Sequence, residues 1–178
     1  GGDADWRGVS AAIQEFVIES PVPVFVKEVG HGISASSAAI LVNLGVSWID
    51  VAGAGGTSWS QIEHIRGGRE GVSAFANWGV TTKEAIESIR DKGLPCMLVG
   101  SGGLRSGLDA AKVVRIGADI AAAAQPFLEP ARTSVQQTIK VIESWEKDFK
   151  ITMFSTGSKN LNELRAAKLL NERDRIEG

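Results

Sequence analysis

Short apolar runs that break into glycine, each followed by a helical pattern, constrain this chain more than any other feature. Pro23–Val29 (PVFVKEV) runs into Gly30-His31-Gly32. Val46–Val51 (VSWIDV) runs into AGAGGTSW, residues 52–59. Pro95–Val99 breaks into Gly100-Ser101-Gly102-Gly103, and Ala118–Ala124 (ADIAAAA) gives way to Gln125-Pro126. Helical periodicity fills the intervals: Val9–Ser20, Ser34–Leu44, a short piece at Ser60–Arg66, Thr81–Lys92 and Gly107–Ile116. Ala131–Phe149 reads as one long helix after a Gln125–Pro130 loop, and the tail carries Thr156-Gly157-Ser158 as a cap and a last helix around Asn160–Asn171.

Strands that look buried on both faces and alternate with helices demand a parallel sheet with right-handed crossovers. An open doubly wound sheet usually shows one phosphate turn near its first strand. Here nearly every strand exit is rich in Gly or Ser, and Lys, Thr, Arg and Gln recur at those exits. Functional loops gathered at all the strand C-termini favour a (β/α)8 TIM barrel. Four strands are half of a barrel, which typically takes about 250 residues. The expectation is therefore the C-terminal half of a barrel, strands five to eight with outer helices. Residues 1–178 form a single partial domain whose segment 153–178 is a helical tail.

Composition removes several classes. The chain is 178 residues long, with 19 basic and 21 acidic side chains, so no basic nucleic-acid footprint is expected. No run of about eighteen apolar residues predicts a membrane span. A single cysteine forbids an internal disulfide framework. A cytoplasmic protein without membrane or nucleic-acid partners is the expectation.

The strongest chemical signal is the pair of exits at Ser101-Gly102-Gly103 and Ala124-Gln125. In barrels the loops after the last two strands often hold a phosphate. Glycine removes the Cβ that would keep an anion from the backbone N–H groups. Each glycine pair also has a plain reading as a tight turn. Arg105 follows the turn and can add a bidentate donor, or sit solvated at a helix start. Leu104 lies between them. Lys27 ends a buried run, where it can meet an anionic ligand, polarise a cofactor carbonyl, or pair with Asp50. Asp50, an acid inside an apolar run, can be catalytic, but the expectation is a structural partner of Lys27 or of loop N–H groups. Thr57 and Ser58 offer hydroxyls to a polar ligand. Trp59 and Trp78 pack the loop or cover a ring. His31 and His64 lack a second ligand at metal spacing, and Cys96 reads as a buried hydrophobe.

Several ordered motifs resemble one family. Val26-Lys27-Glu28-Val29-Gly30, the IDVAGAGGTSW block at 49–59, GSGGLRSGLD at 100–109, Gly117-Ala118-Asp119-Ile120 through Pro126, and Thr156-Gly157-Ser158 look like type 2 isopentenyl-diphosphate isomerase. The SGG turn alone is shared with many FMN barrels, the 2-hydroxy-acid oxidases among them; GAGGTSW narrows the match. The resemblance implies an FMN barrel that interconverts isopentenyl and dimethylallyl diphosphate in isoprenoid biosynthesis. Reduced flavin would act as acid/base, with NADPH as reductant, Mg²⁺ as a further cofactor and a homo-oligomer as the assembly. It implies that Lys27 lies by the flavin ring and that Thr57 contacts the flavin. Gly102, Gly103, Leu104, Arg105, Ala124 and Gln125 would hold the FMN phosphate. Ala52 stands where family members often carry serine. The substrate-binding arginine and lysine, and a glutamine–glutamate pair whose glutamate binds the metal, would precede Gly1. The expectation is a chain inactive by itself. Two alternatives stand beside it: a half-barrel that binds FMN or phosphate without catalysis, and another FMN barrel oxidoreductase such as a 2-hydroxy-acid oxidase relative. The latter needs a histidine near a strand exit, and His64 lies beyond Gly56 in a helical pattern. Open strand edges are expected to make the isolated chain oligomeric or aggregation-prone.

Overall fold

A computed structural model of the chain describes residues 5–170. Four parallel strands, β1 (Phe25–Lys27), β2 (Trp48–Asp50), β3 (Met97–Gly100) and β4 (Ile120–Ala121), form one sheet in the order β1-β2-β3-β4. Spatial order follows chain order throughout. A doubly wound sheet reverses its order at a switch point; a barrel does not. Right-handed crossovers between successive neighbours put the connecting helices on one side of the sheet, as in the wall of a barrel.

The helices begin where the sequence supplies a side-chain acceptor. Ser34 accepts the Ser37 N–H at the start of α2 (Ala35–Asn43) and Ser58 accepts that of Gln61 at α3 (Trp59–Arg66). Thr81 and Glu84 form a reciprocal capping box on α4 (Thr82–Asp91), and Ser106 accepts the Asp109 N–H on α5 (Gly107–Arg115). Such a cap is worth about 1 kcal/mol because it satisfies donors that the helix itself cannot. The first helix, α1 (Val9–Glu19), has no side-chain cap and buries no residue fully.

Register sets the layers. Val26, Ile49 and Leu98 pair across β1, β2 and β3, and Ile49 and Leu98 are fully buried against Ala38, Ile86, Ile89 and Val113. The alternate residues, Phe25, Trp48 and Met97, form the row on the opposite face. At the N-terminal end of the strands Arg90 ties three segments together. It donates to the Gly117 carbonyl (2.7 Å), the Cys96 carbonyl (2.9 Å) and Asp119 Oδ2 (2.5 Å), while Asp119 Oδ2 also accepts the Leu98 N–H (2.8 Å). This clamp lies at the far end of β3 and β4 from their exits.

The chain beyond β4 departs from the sequence expectation. Gln125–Pro130 is not a loop: α6 spans Gln125–Thr133, with Pro126 in its first turn and Pro130 inside it. Ser134 then caps a separate helix, α7 (Val135–Ser155). Proline is tolerated in the first helical turn because its missing N–H would be unpaired there anyway. Thr156–Ser158 closes α7 rather than opening the tail helix. The Ser158 N–H returns to the Met153 carbonyl (2.8 Å), and Asn160 caps α8 (Leu161–Ala166). Residue 171, the expected end of that helix, lies outside the described residues.

Candidate functional site

The exits of all four strands open into one cleft of about 830 Å³. Lys27, Thr57, Gly102, Gly103, Leu104, Arg105, Ala124 and Gln125 all line it, together with Asp50, Ala52, Gly53 and Trp59. Residues separated by nearly a hundred positions in the chain thus meet at one place, because parallel strands carry every exit to the same end of the sheet.

The glycines at the cleft floor are required by contact between two backbones. Gly102 and Gly103 have φ of +101° and +76°, conformations that glycine adopts without Cβ strain. A Cβ on Gly102 would collide with the carbonyl of Gly53. One on Gly103 would stand 2.7 Å from the Gly55 carbonyl oxygen, and one on Gly56 would stand 2.8 Å from the Gly103 nitrogen. The GAGG exit of β2 and the SGG exit of β3 therefore pack backbone against backbone. The tight-turn reading is met at these residues, which the contact between the two exits requires to be glycine.

What these turns leave over is a set of donors. Among the described residues, the N–H groups of Gly102, Gly103, Leu104, Ala123 and Ala124 have no protein acceptor. The N-terminus of α6 has Ala124 at its cap position and no side-chain acceptor, whereas Ser, Thr or Asn caps six of the other helices. A bare helix start carries partial positive charge and unpaired N–H groups, so it suits an anion. Barrel phosphate sites are often built from the last two strand exits and a short extra helix. Here α6 follows directly on the exit of β4. Sequence reasoning missed it, since an alanine cap gives no signal; Pro126 in a first-turn position was the available clue.

Arg105 adds charge to the same rim. Its side chain is exposed and has no carboxylate within 4.0 Å among the described residues. Its backbone N–H donates to Asp109 Oδ2 (3.1 Å). Burial disfavours ionisation of Asp109, but the Arg105 N–H, Lys112 and the Ser106 hydroxyl outweigh it and hold the carboxyl below its usual range. Asp109 thereby fixes the turn that presents Arg105.

At the other end of the cleft, Lys27 donates to the carbonyl of Glu28 (2.5 Å) and forms no ion pair with Asp50. Asp50 is 4% exposed, and its Oδ1 accepts the Ala52 N–H (3.0 Å) and the Ser101 hydroxyl (2.6 Å). Of the two partners expected for Asp50, the loop N–H is the one observed, and Ser101 joins it. Ala52, at φ +33°, is a non-glycine residue held in left-handed backbone by these contacts. Glu28, which sequence reasoning passed over, accepts three backbone N–H groups on one oxygen, from Gly30 (2.7 Å), His31 (2.5 Å) and Gly32 (3.1 Å). It folds the loop that brings Gly30 against the Thr57 carbonyl. An acid directly before Gly-His-Gly was the signal for it.

Some expectations are corrected. The Ser58 hydroxyl is committed to the Ala76 carbonyl (2.7 Å) and to capping α3, and it does not line the cleft. Trp59 lines the cleft; Trp78 packs edge-on against Phe75 (centroids 5.8 Å apart) in the loop between α3 and α4. His64 bonds the Glu70 carbonyl (3.1 Å), and neither histidine lines the cleft. Cys96 is buried, and burial pushes its thiol pKa up.

Residues 4–171 match the family model of the FMN-dependent dehydrogenases. The chain is 44% identical over 174 residues to the isopentenyl-diphosphate delta-isomerase of Stutzerimonas stutzeri, covering 96% of this chain and 50% of that protein. It is 42% identical over 178 residues to the enzyme of the same name from Pseudescherichia vulneris, covering 98% and 51%. The chain thus spans about half the length of the curated relatives it matches. Among solved structures, a Pediococcus acidilactici protein described as a lactate oxidase superposes with a TM-score of 0.69 at 21% identity, over 91% of this chain and 40% of that one. A mandelate oxidase superposes with a TM-score of 0.67 at 18% identity, over 89% and 42%. At such identities these structures speak for the fold alone.

Proposed function

Because the chain belongs to the FMN-dependent dehydrogenase family, we propose that it forms the FMN-holding part of an isopentenyl-diphosphate delta-isomerase. The observation that carries this reading is the convergence of Lys27, Thr57, Gly102–Arg105, Ala124 and Gln125 on one cleft whose floor offers unpaired N–H groups. FMN suits that donor set, since its phosphate is an anion and its ring can accept from a cation. In this reading Gly102, Gly103, Leu104, Arg105, Ala124 and Gln125 hold the phosphate, beside the bare start of α6. Lys27 faces the ring and favours its anionic reduced form, while Thr57 makes a further contact. Trp59 helps to exclude water from the cleft.

Interconversion of isopentenyl and dimethylallyl diphosphate adds a proton at one carbon and removes one from another, with no net redox change. Bound reduced flavin supplies acid/base chemistry for this exchange, and NADPH is the proposed reductant. Among the described residues no three His, Cys, Asp or Glu side chains converge to hold a metal; the proposed Mg²⁺ ligand lies in the half of the relatives that this chain does not match. The proposed assembly is a homo-oligomer, and the proposed location is the cytoplasm; no helix among the described residues is long and apolar enough to cross a membrane.

Two measurements test the reading. Titrating the chain with FMN is expected to give a saturable 1:1 complex with a perturbed visible spectrum, competed by inorganic phosphate. Mixing the chain with the half of the Stutzerimonas relative that it does not match is expected to yield isomerase activity under reducing conditions. Absence of any FMN complex in both preparations would defeat the proposal.

A further inference from the structure

We propose that Asp50 is a ligand-selecting residue: its second carboxylate oxygen accepts a hydroxyl of the polyol chain that joins the ring and phosphate of the bound cofactor. The inference rests on the FMN reading given above and goes further, to the part of the ligand that no cleft residue has yet been assigned.

Three observations converge on Asp50. First, the side chain is almost wholly buried at 4% exposure, and both of its protein hydrogen bonds fall on Oδ1. Among the described residues Oδ2 has no protein donor, yet no polar side-chain atom is both sealed from solvent and unpaired. Oδ2 therefore faces the cleft that Asp50 lines. Secondly, the lining is otherwise built for accepting groups. Lys27, Arg105 and the free N–H groups of the SGG and Ala123-Ala124 segments all donate. Among the described residues Asp50 is the only carboxylate in the lining, so a ligand that fills the cleft must bring it a donor. Thirdly, register and strand order fix where that donor lies. Asp50 pairs with Lys27 on β1 and with Val99 on β3, two residues before Ser101. A ligand reaching from Lys27 to the β3 exit must cross β2, a span of roughly 10 Å at about 4.8 Å per strand. In FMN the segment between ring and phosphate is a chain of hydroxyl groups, which are donors.

The substitution that isolates this role is Asp50→Asn. The amide oxygen can keep the bonds from Ala52 and Ser101, and the cleft then meets an NH₂ donor where it had an acceptor. Binding is read by flavin fluorescence with two probes: FMN, and a flavin whose ring and phosphate are joined by a plain alkyl chain without hydroxyls. The wild-type chain is expected to favour FMN by about tenfold, the value of one hydrogen bond to a charged acceptor. Asp50→Asn is expected to cut that preference to about threefold or less, because a ligand hydroxyl can still accept from the amide but loses its charged acceptor, while inorganic phosphate stays equally effective as a competitor. Ser101→Ala, which removes one bond to Oδ1 and leaves Oδ2 in place, is expected to keep the preference. Equal wild-type affinity for both probes overturns the inference. So does an Asp50→Asn variant that loses affinity for both probes alike, since Asp50 would then act only by shaping the two exits. If neither flavin binds the wild-type chain, the cofactor reading falls, and this inference falls with it.

Discussion

The two ends of the cleft are built by different means. At the β3–β4 end, backbone packs on backbone: Gly102 and Gly103 lie against Gly53, Gly55 and Gly56. Fully buried side chains lie behind, and Arg90 ties the far ends of the same strands to Asp119. At the β1 end, Lys27 stands on a strand that among the described residues pairs only with β2, and α1 alongside buries no residue fully. Phe16 and Phe25 are 63% and 48% exposed there. One carboxylate, that of Glu28, gathers the loop. The β3–β4 end is therefore fixed by the path of the chain, which few substitutions can alter gently. The other end is fixed by a side chain, which can be changed without moving the core.

The sharpest way to break this contrast is Gly102→Ala. The new methyl group would meet the Gly53 carbonyl at a backbone angle alanine resists, so a loss of about 3 kcal/mol or more is expected in urea unfolding. Phosphate and FMN binding are expected to go with it; a variant that melts within about 1 kcal/mol of wild type would show that the two exits can part freely. Arg90→Ala comes next. It leaves the Gly117 and Cys96 carbonyls without their donor and removes an ion pair at a half-buried junction, and is expected to cost about 2–4 kcal/mol, with FMN affinity retained in the folded fraction.

Glu28→Ala tests the opposite end. It leaves three N–H groups without their acceptor and is expected to cost about 1–3 kcal/mol. Its signature is a changed flavin absorption band with unchanged inorganic phosphate competition; Glu28→Gln is expected to restore most of the wild-type spectrum. A change at the phosphate end instead would erase the distinction between the two regions.

Asp109→Asn carries the smallest effect, about 1 kcal/mol, because the group is partly solvated. It also has a pH signature. The folded carboxyl is held below its ordinary value of about 3.9, so its contribution is complete above that value. It is lost as pH falls through the lower folded value. Wild type and variant are therefore expected to differ in melting temperature at pH 6 and to converge on acidification below about pH 4.

Most of the architecture was legible because the chain announces it twice, in apolar runs and in glycine exits. The helices expected at Ser34–Leu44, Thr81–Lys92 and Gly107–Ile116 start within a residue of α2, α4 and α5. Strands were read too long: Ala118–Ala124 contracts to Ile120–Ala121, since a run of small residues shows apolarity but not where pairing stops. The gathering of Lys27, Thr57 and the SGG turn in one cleft follows from parallel topology, which alternation predicts. Other features depended on contacts that no local pattern encodes. Ser58 has a hydroxyl, but its commitment to Ala76 crosses a loop. Asp50 and Ser101 meet through neighbouring strands. The start of α6 lacks a capping side chain, and that lack is what leaves its N–H groups free for a ligand.

Strand order also dictates how the chain is assembled in time. Each strand pairs with the one made just before it, so each β–α unit can dock on a finished neighbour while the rest of the chain is still to come. The pairing of β2 with β3 closes the longest segment, since α3, the exposed loop after it and α4 all intervene. Chain closure costs more entropy as the loop grows, and contacts distant in sequence form late. That pairing should therefore set the folding rate. Shortening the exposed segment between α3 and α4 is the change expected to quicken refolding, by a small factor because closure entropy grows only with the logarithm of loop length.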